Sequence, residues 1–257
     1  MFAIVSSLSL IAVGQATPVS APPLGTVVAD AITYRIQPGV VWVPLRLTME
    51  AAGVMVEYDT TTASITLMGT PIPMEETMEI REETFIKLSA LQALASPVGF
   101  RLNDEGDRHW SIEYGAYTSW VRAAPHRVEI SIREQRLRGW QGDRLVIQTN
   151  VSTGRGGFAT PRGEFRSGPE YSRHRVSRRY DNAPMPYSVQ VEGGVFIHGS
   201  RSVPRYPASH GCIRMPLTGN NPARLFFEWV EPDSPIIIAT DFVTPPPMAD
   251  EHPTERI

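Results

Sequence analysis

Apolar and polar positions change rhythm several times along the 257 residues of this chain. Residues 2–13 are an almost unbroken apolar run, too short to span a bilayer, which takes about 20 residues. Small-x-small pairs follow at Gly14/Ala16 and Val19/Ala21, the form of a leader cleavage site, so residues 1–21 read as a signal peptide. No Lys or Arg precedes the run, unlike an ordinary signal peptide, and a buried strand is the competing reading. No cysteine follows it, so no lipid anchor is expected, and no stable transmembrane anchor either.

Between residues 22 and 115 one pattern occurs twice, at a spacing of roughly 43 residues. A strand-like stretch (40–46, then 84–88) leads into a short helical one (47–53, then 89–95). Two strands about a turn follow: 54–59 with 64–67, then 98–102 with 109–112, the second turn being Asn103 to Asp107. The pattern predicts an α+β domain built on a duplicated strand-helix-hairpin unit. Trp42, Phe85, Phe100 and Trp110 sit in its strands, where core packing is favoured over a sugar-stacking platform.

Residues 116–124 read as a junction. From Pro125 the rhythm becomes short strands and turns: 126–132, 144–151, then the pair 185–191 and 194–198, and finally 235–239. One helix is expected at 222–230, with Pro222 in its first turn. A mainly β domain over 125–240 results, and the Pro-rich, charged remainder, 241–257, reads as a disordered tail.

A hydrophobic content of 42% is ample for a packed core, and the net charge of -3 excludes a general nucleic-acid binder. The glycine-rich stretch 152–165 lacks the Gly-Lys-Ser/Thr of a phosphate loop and reads as a turn. Residues 171–180 carry four arginines and a histidine, either a solvated loop or, beside a site, an attractor of carboxylates.

Candidate chemistry gathers at Ser209-His210-Gly211-Cys212-Ile213-Arg214-Met215, which holds the one cysteine of the chain, with His198 upstream. A lone cysteine permits no intramolecular disulfide. A nucleophilic thiol needs a base or a cation beside it, and His198 and His210 are the candidates. The same three residues also form a possible zinc ligand set, although His-x-Cys is tighter than usual ligand spacing, and an inert buried thiol is the third reading.

Two resemblances bear on this. Residues 22–115 resemble the copper amine oxidase N-terminal-like (stalk) domain, which implies no copper site, His109 being the one ligand there of the kind copper favours. Residues 125–240 resemble the L,D-transpeptidase catalytic domain of the YkuD type. The likeness rests on Ser152-Thr153-Gly154, Thr160-Pro161-Arg162-Gly163-Glu164-Phe165, Met185-Pro186-Tyr187, Ile197-His198-Gly199-Ser200 and the cysteine motif. It implies Cys212 as nucleophile and His198 as base and acid, oriented by the carbonyl of Gly199. Ser209, His210, Gly211, Arg214 and Tyr187 are implied as positioning or substrate-binding groups, with no metal and no cofactor.

The implied reaction is acyl transfer from a peptidoglycan stem tetrapeptide, through a thioester, to an amine. Water as acceptor (an L,D-carboxypeptidase) and a non-catalytic wall-binding protein are the alternatives. Peptidoglycan stem peptides are the expected partners, carbapenems the expected inhibitors, and export to the periplasm or cell wall the expected location.

Overall fold

A computed structural model describes residues 22, 23, 26 and 28–243. The expected signal peptide at 1–21 and the tail beyond 243 lie outside the described residues. Among the described residues no helix is long and apolar enough to cross a membrane.

The first half runs β1 (Val28–Asp30), β2 (Ile32–Thr33), β3 (Val41–Pro44), α1 (Leu45–Ala51), β4 (Val56–Asp59), β5 (Ser64–Leu67) and β6 (Thr70–Pro71). It continues with β7 (Thr77–Ile80), β8 (Glu83–Lys87), α2 (Leu88–Val98), β9 (Arg101–Gly106), β10 (His109–Tyr114) and β11 (Tyr117–Arg122). Strand, helix and hairpin therefore follow one another in the same order at β3-α1-β4-β5 and at β8-α2-β9-β10. Helix α2 turns Ala90, Leu91, Leu94 and Ala95 inward, the spacing of a single helical face, and stops at Gly99, whose φ of 92° is open to glycine at little cost.

These strands form three sheets, ordered β2-β3-β8-β7, β1-β11-β10-β9 and β4-β5-β6. Two expectations are corrected here. Residues 117–122, read as junction, are β11, which pairs with β10 along its whole length and runs parallel to β1. Asn103 to Gly106, read as a turn, belong to β9, and the chain reverses at Asp107 and Arg108, both at positive φ. Their polar side chains find partners across the hairpin: Asn103 with Ser111, and Arg101 with Glu113. Trp42, Phe85 and Phe100 are buried and Trp110 packs on the core, which leaves no aromatic platform.

The second half comprises β12 (His126–Ser131), β13 (Arg136–Gln141), β14 (Arg144–Asn150), β15 (Gly163–Arg166), β16 (Tyr171–Ser177), β17 (Ala183–Glu192), β18 (Val195–Ser200), β19 (Ile213–Pro216), α3 (Pro222–Trp229) and β20 (Pro235–Ala239). One sheet is ordered β14-β13-β12-β20-β15 and the other β16-β17-β18-β19. Asn221 caps α3 by accepting the Arg224 N–H at 3.1 Å, Pro222 occupies the first turn, and Phe226, Phe227 and Trp229 face inward. β13 was not expected: Arg138 and Gln141 disguise a central strand that is buried almost throughout. Residues 171–177 form strand β16 rather than a solvated loop. At the start of the expected tail Asp241 pairs with Arg133, and Phe242 lies under the Arg138 guanidinium.

The halves share a core. Ile32, Tyr34, Trp42 and Phe85 pack in one cluster with Phe226, Phe227 and Trp229 of α3 and with the inner faces of β12 to β14. Polar groups at this seam are matched: the Thr33 N–H donates to Gln141 Oε1 at 3.0 Å, and Gln141 Nε2 donates to Thr33 Oγ1 at 2.8 Å and to the Ala124 carbonyl at 3.0 Å. The Arg35 guanidinium donates to the Phe227 carbonyl at 2.7 Å and stacks between the Tyr171 and Phe227 rings.

Candidate active site

Strands β18 and β19 pair in parallel, Ile197 opposite Ile213 and His198 opposite Arg214. Alternation sends Ile197, Ile213 and Met215 into the core. His198 and Arg214 take the other face, and Cys212, two residues before Arg214, falls on that face too. His198 and Cys212 line one open groove of about 1290 Å³, together with Gly199, Ser209, His210 and Arg214.

The turn presenting Cys212 is held by hydrogen bonds. Ser209 Oγ donates to the Cys212 carbonyl at 2.5 Å and accepts the Gly211 N–H at 3.1 Å. The Gly211 carbonyl accepts from Thr160 Oγ1 at 2.8 Å, and Thr160 Oγ1 accepts the Gly154 N–H at 2.8 Å. Gly211 has a φ of 113°, a conformation that side chains rarely adopt. Alongside, Ser152 exchanges two backbone bonds with Arg214, both 3.0 Å, and the Arg155 N–H donates to the Ser209 carbonyl at 3.0 Å.

The glycine-rich turn is thus the cradle of the cysteine turn. At Gly154 a Cβ would stand 1.9 Å from the Phe158 carbonyl oxygen and 2.7 Å from the Thr160 nitrogen, so only glycine fits.

His198 is 7% exposed, and its Nδ1 lies 2.9 Å from the Gly199 carbonyl. The ring N–H at Nδ1 donates there, which leaves Nε2 as the acceptor. Burial lowers its pKa to about 4, with the Gly199 carbonyl pulling upward and the Arg214 charge downward. A Cβ on Gly199 would meet Leu217 Cδ2 at 2.4 Å and the Pro186 carbonyl at 3.2 Å.

The Cys212 thiol lies 3.7 Å from the Gly194 carbonyl. Burial raises its pKa, against a backbone hydrogen bond from Phe196 and the charges of Arg175 and Arg214. At rest the pair is therefore a neutral thiol and a neutral imidazole.

His210 lines the groove with its ring engaged by other partners. Its Nε2 is 2.7 Å from an Arg155 nitrogen, its ring stacks on Tyr180 at 4.3 Å, and Phe158 meets it edge-on at 4.8 Å. Its pKa is lowered by burial and by Arg155, Arg214 and Arg179. His198, His210 and Cys212 do not form a metal cage, and among the described residues no three His, Cys, Asp or Glu side chains are grouped to hold an ion.

Tyr187 is the candidate that the fold turns away from the groove: at φ 56° its ring lies 6.0 Å from Phe227, against α3. Sequence reading missed Gly154 and Thr160 as supports, whose signal was the quoted Thr160-Pro161 segment, and it missed Arg201 altogether. Arg175, Arg178, Arg179 and Tyr180 came in only as an undivided charged cluster, and they line the groove.

Residues 125–238 match the family model of the YkuD L,D-transpeptidase catalytic domain. No curated protein matches the chain. Among solved structures, an L,D-transpeptidase from Stackebrandtia nassauensis is 19% identical with a TM-score of 0.41, over 45% of this chain and 55% of that one. The chain thus spans about half the length of that protein. An L,D-transpeptidase from Mycobacterium smegmatis is 16% identical with a TM-score of 0.41, over 84% of this chain and 95% of that one. A third, from Xylanimonas cellulosilytica, is 23% identical with a TM-score of 0.39, over 60% of this chain and 71% of that one. Residues 125–238, which hold both Cys212 and His198, are thus similar to an L,D-transpeptidase catalytic domain of the YkuD type.

Proposed function

We propose that this protein is a peptidoglycan L,D-transpeptidase with Cys212 as nucleophile and His198 as general base and acid. The carrying observation is that the thiol and a neutral, oriented imidazole face one groove. Attack by Cys212 Sγ on the carbonyl between the third and fourth residues of a stem tetrapeptide passes its proton to His198 Nε2. The oxyanion needs a backbone donor. The Gly211 N–H is engaged by Ser209 Oγ, so the Cys212 N–H is assigned that role.

Collapse of the tetrahedral intermediate breaks the C–N bond. His198 returns the proton to the departing D-alanine amine, and a thioester remains on Cys212. An amine from a second stem then attacks the thioester, His198 takes up its proton, and an amide cross-link forms as the thiol is regenerated. Water as acceptor would give a carboxypeptidase by the same steps.

Arg214, on the face of Cys212, suits a substrate carboxylate. His210, held by Arg155 and Tyr180, positions the walls of the groove and does not act as the base. The strained amide of a carbapenem offers the same electrophile, so one acyl adduct on Cys212 is expected. The repeated element order supports reading 22–115 as a duplicated stalk-type domain, the family match supports 125–240 as the catalytic domain, and the apolar run with its small-x-small pairs is the basis for reading 1–21 as a signal for export to the periplasm or wall.

The test is incubation of the protein with disaccharide-tetrapeptide and mass analysis of the products. A cross-linked dimer with released D-alanine supports cross-linking, and tripeptide alone supports the carboxypeptidase. Sacculus binding with neither product and an unreactive thiol would leave only a wall-binding protein.

A further inference from the structure

The chain has a net charge of -3, yet the groove lining includes Arg175, Arg178, Arg179, Arg201 and Arg214 and no carboxylate among the described residues. Arg175 is committed: it pairs with Glu170 and lies over the Phe196 ring at 3.8 Å. Arg178, Arg179 and Arg201 are exposed and form no ion pair among the described residues, whereas arginines elsewhere, such as Arg122, Arg144 and Arg224, are matched to Asp or Glu.

These three charges are gathered from two segments. Arg178 and Arg179 follow β16 at the tip of its hairpin with β17, and Arg201 follows β18 directly. The tip is tied to the cysteine turn, because Tyr180 stacks on His210 at 4.3 Å with the rings 22° apart. Unpaired guanidinium groups around a concave site raise the local concentration of anions and bind carboxylates through paired N–H donors.

We propose that Arg178, Arg179 and Arg201 form a carboxylate-binding rim that selects acyl donors with free side carboxylates over the same peptides carrying carboxamides. The proposal deepens the acyl-transfer reading and rests on it for the identity of the donor. No bond is made or broken by the rim: it acts on substrate binding alone.

The test compares a tetrapeptide donor bearing free carboxylates with its carboxamide form. Turnover is measured on the intact protein and binding on Cys212→Ala. The expected result is a preference of about tenfold in kcat/KM for the free form, carried by KM and falling with added salt. In the triple variant R178Q/R179Q/R201Q, whose sites are exposed, that preference disappears, and the Lys versions restore part of it. Equal use of the two peptides by the wild type, or a preference that survives in the Gln variant, would overturn the rim. Salt-sensitive, arginine-dependent binding with turnover of neither peptide would sustain the rim and overturn the transpeptidase reading instead.

Discussion

Nδ1 of His198 and the carbonyl oxygen of Gly199 are 2.9 Å apart, a bond from a side chain to the backbone of the next residue in the same strand. With the ring neutral it places the proton on Nδ1 and leaves Nε2 as the acceptor of a residue that lines the groove. With the His198 pKa near 4, the acid limb of kcat/KM against pH is expected well below the ordinary imidazole range, so that activity persists at pH 5. His198→Gln should cost about 10²- to 10⁴-fold in kcat. A limb centred near pH 6.5 would contradict the environment described for this ring.

The same burial has a stability consequence. Between pH 6.5 and about 4 the unfolded chain protonates His198 while the folded chain does not, so stability falls as pH is lowered through that window. The loss is on the order of 3 kcal/mol for this group. It is checked by denaturant unfolding at pH 7 and pH 4.5, where His198→Gln should show a shallower slope. The Glu231 carboxyl, lowered to about 2 chiefly by its hydrogen bond to His126, adds its own loss only further down, as pH falls from 4.5 toward 2.

The Cys212 thiol sits above its ordinary value, mainly through burial. Alkylation by iodoacetamide should be slow at pH 7 and climb only at pH more alkaline than a free cysteine requires. Arg214→Gln removes a charge that favours the thiolate and should move this profile further toward alkaline pH. A fast, pH-independent reaction near neutrality would mean a standing thiolate.

Gly154→Ala forces a Cβ onto the Phe158 carbonyl and should destabilise the protein by about 1–3 kcal/mol or more. Thr160→Val removes the hydroxyl shared by Gly154 and Gly211 and should cost about 1–3 kcal/mol, with lost activity, because the Gly211 carbonyl no longer has that partner. Thermal unfolding and single-turnover acylation separate the two effects.

A fragment starting at residue 125 strips Ile32, Tyr34, Trp42 and Phe85 from the cluster that holds Phe227 and Trp229. It is expected to unfold at lower temperature than the whole chain or to aggregate. Within the whole chain, Gln141→Leu should cost about 1–3 kcal/mol by leaving the Thr33 N–H without its acceptor. A fragment as stable as the parent would mean that the shared core contributes nothing.

Where apolar runs were bounded by turn residues, as at 126–132, 144–151 and 194–198, strands were legible in the sequence, and so was α3 from Pro222 and its apolar face. β13 was not, because Arg138 and Gln141 are polar residues in a buried central strand, satisfied only by tertiary neighbours. The same holds for Asn103 and Arg101, whose strand exists through partners on β10. At the site, Cys212 and His198 stood out as chemistry-bearing types. Tyr187 lies off the groove lining, with a positive φ within β17 and its ring by Phe227 of α3, and Arg201 acquires meaning only when the fold brings the tip of the neighbouring hairpin to the same groove.

A sulfur held as the neutral thiol is also a poor target for peroxide, since the thiolate is the form that becomes sulfenic acid. In the proposed reaction it becomes nucleophilic as its proton passes to the imidazole and the sulfur bonds to the substrate's carbonyl carbon. Brief oxidant exposure should therefore spare the idle enzyme, and damage should accumulate mainly under alkaline conditions.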